Sequence, residues 1–253
     1  MKTKYSSQGF TLIELAVVLF ILGLLLSSFL APLAARVEQQ ERKNTQIQLD
    51  EIKEILFGYT LQNNFLPCAD CANNAGGCAG LTANDGIEDT VVAAGDELTC
   101  ATEVGNLPWV TLGVKGTDEW NNIFTYRVDD RFADRDDPAD ATGTGESDGT
   151  GCETASATLG VSLSLCSDGE ITVMDAAAAG NNVATFIPAI VISHGKNFSD
   201  NVPSADETEN INGDTTFVDK VYSSTTGTEF DDMLIWNSPH VLRTMSVKSG
   251  TLP

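Results

Sequence analysis

Gly9-Phe10-Thr11-Leu12-Ile13-Glu14-Leu15 is the stretch on which the fold turns, and no charged residue follows it until Arg36. A charged side chain inside a membrane-length apolar run costs about 2.5–3.5 kcal/mol on insertion scales, so Glu14 reads as a functional group that needs a partner. An amine freed by cutting the chain supplies one. Residues 1–9 carry Lys2 and Lys4 and are largely polar, and the apolar run starts only after Gly9. A secretory signal is instead cut after its apolar core, beside small residues, and that core spans about 7–15 residues. Leu15 to Ala35 matches the roughly 20 residues that cross a bilayer as a helix, so residues 10–35 read as a retained anchor. The two lysines ahead of it and the long acidic portion behind it orient the start to the cytoplasm and the remainder outside.

Beyond Arg36 the chain turns polar, with Glu38, Gln39, Gln40, Glu41, Arg42 and Lys43, yet it holds no Gly or Pro before Gly58. Ile52, Ile55, Leu56 and Tyr59 fall at i, i+3, i+4 and i+7, the spacing of one buried helical face. The pattern predicts a single helix from near Phe10 to about Asn63, roughly 80 Å long at 1.5 Å per residue. Its first half faces lipid; residues 36–64 are an amphipathic continuation packed on a domain. Asn63-Asn64 and Pro67 stop it. Residues 65–253 then read as one globular β-rich domain.

The chain has 253 residues, 36 of them acidic against 14 Lys and Arg, for a net charge of −22. A surface so acidic repels nucleic acid and anionic membrane, which argues against nucleic-acid binding by the globular part and leaves divalent cations as the small ligands it attracts. Six cysteines, Cys68, Cys71, Cys78, Cys100, Cys152 and Cys166, all lie beyond the anchor. An even count in an exported domain favours disulfides over free thiols, with Cys152 and Cys166 placed for a local clasp and the rest left open by spacing alone. Cys68-Ala69-Asp70-Cys71 is only half of a zinc or redox motif: there is no second Cys-x-x-Cys, His194 and His240 are remote, and Ala72 stands where haem attachment needs His. No metal site and no cofactor is read here.

From Cys68 to Asn106 the residues are Ala-, Gly-, Asn- and Asp-rich without periodicity, which predicts a long cross-linked loop rather than sheet. Within it, Asn84-Asp85-Gly86-Ile87-Glu88-Asp89 resembles a calcium loop but lacks the alternation and closing Glu of a full one, so it reads as an acidic turn with calcium as the second reading. Alternation of Ile123, Thr125 and Arg127 against Phe124, Tyr126 and Val128 predicts a strand, and Trp120 before it reads as a core anchor. Residues 129–151 form an Asp-rich solvated loop with cation-binding capacity. Its Gly145-Glu146-Ser147-Asp148-Gly149 has the hydrolase spacing without the strand and helix that motif requires, so Ser147 reads as non-catalytic. Further strands are predicted at 157–165, 184–193 and 233–236, the middle one central, with Pro188 demanding an end or a bulge. Ser193-His194-Gly195-Lys196-Asn197 then reads as a turn after a buried strand rather than an active site.

The N-terminal stretch resembles the leader and helix of type IV pilins and type II secretion pseudopilins, with Phe-Thr-Leu-Ile-Glu-Leu unbroken and Gly23 where the family has a glycine. Pro32 lies one residue later than the family's proline. The resemblance implies that prepilin peptidase cuts between Gly9 and Phe10, that the Phe10 amine is N-methylated, and that Glu14 serves assembly. It extends to Asp118-Glu119-Trp120-Asn121-Asn122 and Tyr126, similar to a pseudopilin and minor-pilin turn and strand, with Asn121 where the family has Gly, a change that a positive φ tolerates. Ser-His-Gly-Lys-Asn and Phe230-Asp231-Asp232 carry it further. Leu66-Pro67-Cys68, with Cys100 ahead of Leu107-Pro108-Trp109, implies Cys68 paired with Cys100 and leaves Cys71 with Cys78.

The expected fold is therefore α+β and pilin-like: a long N-terminal helix, its first half membrane-spanning, packed on an antiparallel sheet with disulfide-tied loops. The expected protein is a structural subunit, not an enzyme, minor rather than major, of a pilus or a secretion pseudopilus. Its partners would be other pilin or pseudopilin subunits, prepilin peptidase, the platform and ATPase of the assembly machinery, and membrane lipid. It would sit once through the bacterial inner membrane with its C-terminal domain in the periplasm, reaching the cell surface on assembly. The rival readings are a membrane-anchored periplasmic enzyme resting on Ser147 or His194, and a calcium-dependent binding or adhesion module resting on Asp85, Glu88, Asp89 or the later acidic loop.

Overall fold

A computed structural model describes residues 11–92, 98–133, 169–200 and 203–250. The predicted leader and cut site at Gly9 and Phe10, the Ser147 loop, the strand at 157–165 and both Cys152 and Cys166 lie outside the described residues. The chain divides into two units, Met1–Lys43 and Asn44–Pro253.

The first unit holds the start of helix α1 (Leu12–Asn63). Every side chain from Thr11 to Leu25 is exposed, Leu12, Ile13 and Phe20 most of all. Among the described residues, no helix is long and apolar enough to cross a membrane.

In the second unit α1 turns one face inward. Thr45, Leu49, Ile52, Leu56 and Thr60 are buried at steps of three or four residues, and Ile55 and Tyr59 pack beside them. The helix ends where Asn64 takes φ 65°, its N–H donating back to the Thr60 carbonyl at 2.8 Å.

Strands β1 (Thr90–Val92) and β2 (Leu98–Cys100) form an antiparallel hairpin, and β3 (Val104–Asn106) follows. These lie in the segment expected to be loop. Three-residue strands are too short to show a period of two in sequence, and their partners supply the order instead. Helix α2 (Trp109–Leu112) leads to β4 (Thr125–Val128), helix α3 (Asp130–Ala133) and β5 (Ile171–Met174). The single strand expected over 184–193 is two: β6 (Asn182–Ile187) and β7 (Ala189–Ser193), parted at Pro188 and assigned to different sheets. Proline donates no ladder hydrogen bond, so the chain changes sheet there. Helix α4 (Ala205–Glu209), β8 (Thr216–Val218), β9 (Met233–Trp236) and helix α5 (Pro239–Ser249) complete the chain.

The main sheet is antiparallel in the order β3-β4-β7-β9, so β7 is an interior strand. The second sheet runs β6-β5-β8, with β5 and β8 parallel, a departure from the purely antiparallel expectation. Alternate residues of β7 and β9 serve two cores. Val191, Met233 and Ile235 face the cluster of Leu49, Ile52, Leu56, Phe124 and Tyr126. Ile190, Ile192 and Leu234 face Ile171, Val173, Phe217 and Phe230. Strand β7 is unbrokenly apolar until Ser193 because both of its faces are covered.

Candidate functional site

Glu14 begins α1 as the third helical residue, and its neighbours explain its local conformation. The Thr11 N–H and hydroxyl both approach Glu14 Oε2, at 3.4 and 3.3 Å, while the Glu14 N–H points to Thr11 Oγ1 at 3.3 Å. This is a reciprocal capping box, which satisfies helix N–H groups that have no carbonyl partner of their own. Thr-x-x-Glu ahead of an apolar run is its sequence signature, so the cap was legible at Thr11. The apolar side chains after it are exposed: Gly23 has nothing near the position a Cβ would occupy, and Leu24 and Leu25 stand more than half exposed. A helix apolar on all sides requires lipid or other helices around it.

The two disulfides resolved in the second unit join Cys68 to Cys100 and Cys71 to Cys78, the pairing that the family resemblance implied. Around them the acidic side chains of the calcium-like turn accept main-chain hydrogen bonds. Glu88 takes the Cys68 N–H and the Tyr59 hydroxyl, Asp89 takes the Cys71 N–H at 2.9 Å, and Asp85 folds back on the Ile87 N–H. Asp70, fully buried, accepts from the Gly86 N–H and Asn106, and burial raises its carboxyl above the ordinary value. These acids brace the loop, and they do not converge on a shared point in the way a metal cluster does.

The Trp120 turn is organised by Asp118. Buried completely, it accepts the Trp120 and Asn122 N–H groups on Oδ1, each at 2.9 Å, and the Ser193 hydroxyl on Oδ2 at 2.8 Å. Asn121 holds φ 66°, as expected of the residue standing at the family's glycine position. Trp120 packs against the first core.

Ser193 donates to Asp118 and not to His194, so the adjacent pair forms no nucleophile and base. His194 instead places Nε2 at 2.9 Å from Thr125 Oγ1, with Nδ1 at 3.6 Å from Asp232 Oδ1. Its ring lies 4.6 Å from that of Phe198 in a stack and is 3 % exposed, which closes it to a substrate. Asp232 belongs to a group the sequence reading missed. Glu207, Asp231 and Asp232, all buried, each direct a carboxylate oxygen to within 4.8 Å of the other two. Burial pushes the Asp231 carboxyl up to about 6, helped by the charges of Asp232 and Glu207 and opposed by the Asn197 and Lys196 amides. Gly195 holds φ +62°, and a Cβ there would strike the Asp231 carboxyl carbon at 2.5 Å, so the turn needs glycine to reach this group. Among the described residues these three acids are the ones grouped to hold a cation. Nothing in their spacing, some 25 residues apart in sequence between Glu207 and Asp232, signals the convergence that the fold produces.

Comparison with known proteins finds one relationship at the other end of the chain. No curated protein and no solved structure matches. Residues 4–30 match the family model described as the prokaryotic N-terminal methylation motif. That region contains Gly9, Phe10 and Glu14 and the exposed apolar start of α1. The chain thus opens with a prepilin-type signal of the kind that type IV pilins and pseudopilins carry.

Proposed function

We propose that this protein is a minor structural subunit of a type IV pilus or a type II secretion pseudopilus. Prepilin peptidase cuts it between Gly9 and Phe10, and the Phe10 amine is then N-methylated. Residues 10–35 hold the processed chain in the inner membrane, with the acidic domain in the periplasm. The platform and ATPase then move it into a filament among other pilin or pseudopilin subunits. The match over residues 4–30 carries this reading. The exposed apolar residues Leu12 to Leu25 support it, since copies of such a helix lose about 25 cal/mol of free energy for each Å² they cover. The length of the chain beyond the helix and its acid-rich sequence segments favour the minor role.

In the filament Glu14 pairs with the Phe10 amine of a neighbour and sets the axial register. Two opposite charges paired in a low-dielectric core are far less costly than either one alone. Two substitutions separate this role from capping. Glu14→Ala removes both charge and cap; Glu14→Gln removes the charge while keeping a side chain able to serve as the capping-box partner. Both variants are expected to be cut normally at Gly9, as read by mass spectrometry, and to fall at least about tenfold in the sheared filament fraction. Normal incorporation of Glu14→Gln would show that the carboxylate acts as a cap alone.

A further inference from the structure

The strongest unassigned feature lies where the turn after β7, helix α4 and the start of β9 meet. Glu207, Asp231 and Asp232 bring three carboxylates together in the interior, where like charges repel strongly and desolvation is unfavourable. Each is anchored by groups around it. Glu207 Oε2 accepts the Ser204 N–H at 2.8 Å and Oε1 accepts the Asn197 amide at 2.8 Å. Asp231 Oδ2 takes the Lys196 and Asn197 N–H groups at 2.7 and 3.0 Å, and Asp232 Oδ2 takes the Asn210 amide at 2.7 Å. Those bonds orient the acids without supplying a full counter-charge.

A second and independent observation comes from His194. Its side chain is 3 % exposed, and Nδ1 has no hydrogen-bond partner although it approaches Asp232 of the cluster. Nε2 is engaged with the Thr125 hydroxyl, which fixes the ring. The 3.6 Å between Nδ1 and Asp232 Oδ1 is too long for a hydrogen bond. It suits two ligands of one ion, since tetrahedral ligands about 2.05 Å from zinc lie about 3.4 Å apart. The three carboxylate oxygens lie within 4.8 Å of one another, so a pair closes by up to about 1.4 Å to reach the roughly 3.4 Å spacing of ligands on one ion.

We propose that His194 Nδ1, Glu207, Asp231 and Asp232 bind a divalent transition-metal cation, zinc in the first instance. One imidazole nitrogen with three carboxylates favours a borderline ion over calcium, which takes oxygen ligands. The ion offsets the buried negative charge and ties three segments distant in sequence into one unit. The site is structural: Phe198 stacked on the imidazole leaves no approach for a substrate.

The test uses full-length protein in detergent, stripped with EDTA and dialysed into metal-free buffer. It is melted alone and with zinc, manganese or calcium chloride, and the metal retained through gel filtration is counted by elemental mass spectrometry. Zinc is expected at about one per chain, with a melting temperature at least about 4 °C higher that chelator reverses. Asp232→Asn and His194→Gln should each weaken zinc binding at least about tenfold. Asp175→Asn, an exposed carboxylate elsewhere, should leave it unchanged. Cobalt(II) in place of zinc provides a readout that needs no variant, and an intense visible spectrum of a four- or five-coordinate ion is expected. Absence of retained zinc and of any melting shift would overturn the proposal. So would zinc binding unaltered in both variants, which would mark adventitious binding to the acidic surface, or calcium stabilisation that His194→Gln leaves intact.

Discussion

Asn121 shows how much of the chemistry is decided at single residues. Its φ of 66° lies in the left-handed region, which most side chains enter only at a cost of about 1–2 kcal/mol, and Asn bears that cost better than others. Asn121→Gly should therefore leave stability within about 0.5 kcal/mol of the parent, whereas Asn121→Val should lose about 1–2 kcal/mol. Thermal or urea denaturation of the detergent-solubilised chain measures both. The sequence reading reached this residue because a glycine position filled by Asn has one ready explanation. Glu14 was reached for a similar reason, as a lone charge in an apolar run, while its capping bond to Thr11 went unread in favour of its charge. His194 was read as part of a turn, and its true neighbours could not be inferred: Thr125 and Asp232 are 69 and 38 residues away along the chain.

At the scale of elements, legibility followed length. Helix α1 announces itself over many turns, and its buried stripe within the second unit extends the four expected positions to Thr45, Leu49 and Thr60. Leu49 has no exposed surface whereas Ile47, two residues earlier, is half exposed. Leu49→Ala is expected to lose about 2–5 kcal/mol through the cavity it leaves, and Ile47→Ala less than about 0.5 kcal/mol. Equal losses in chemical denaturation would mean that the helix packs through a different face. Strands β4, β7 and β9 were legible because they alternate or are densely apolar. Strands β1, β2, β3, β5 and β8 were not: each has only three or four residues and lies in a segment without a long alternating or densely apolar run, so its order comes from a partner. Helix α5 was missed because it begins at Pro239 without a strong apolar stripe; of its side chains, Pro239, Leu242 and Ser246 are buried.

Across the second unit, covalent links and hydrogen bonds hold long irregular segments that apolar burial alone would leave loose. Cys68 and Cys100 are separated by 32 residues, and Cys71 and Cys78 by 7. Loop-closure entropy assigns about 3–4 kcal/mol to the first link and about 2 kcal/mol to the second. Cys68→Ser with Cys100→Ser is therefore expected to lower the melting temperature more than Cys71→Ser with Cys78→Ser, and a reversed order in calorimetry would mean that native-state contacts outweigh chain entropy here. The same division by distance separates what each source of information reveals. The sequence alone determined the N-terminal signal, the continuous helix and its inward stripe, because each is written in neighbouring residues. Only the tertiary structure decided that 184–193 serves two sheets, that β5 and β8 run parallel, and that Glu207, Asp231 and Asp232 converge with His194 beside Asp232. Those depend on pairings between distant segments, whose free energy appears only once the chain has closed its loops and excluded water from both sides of β7.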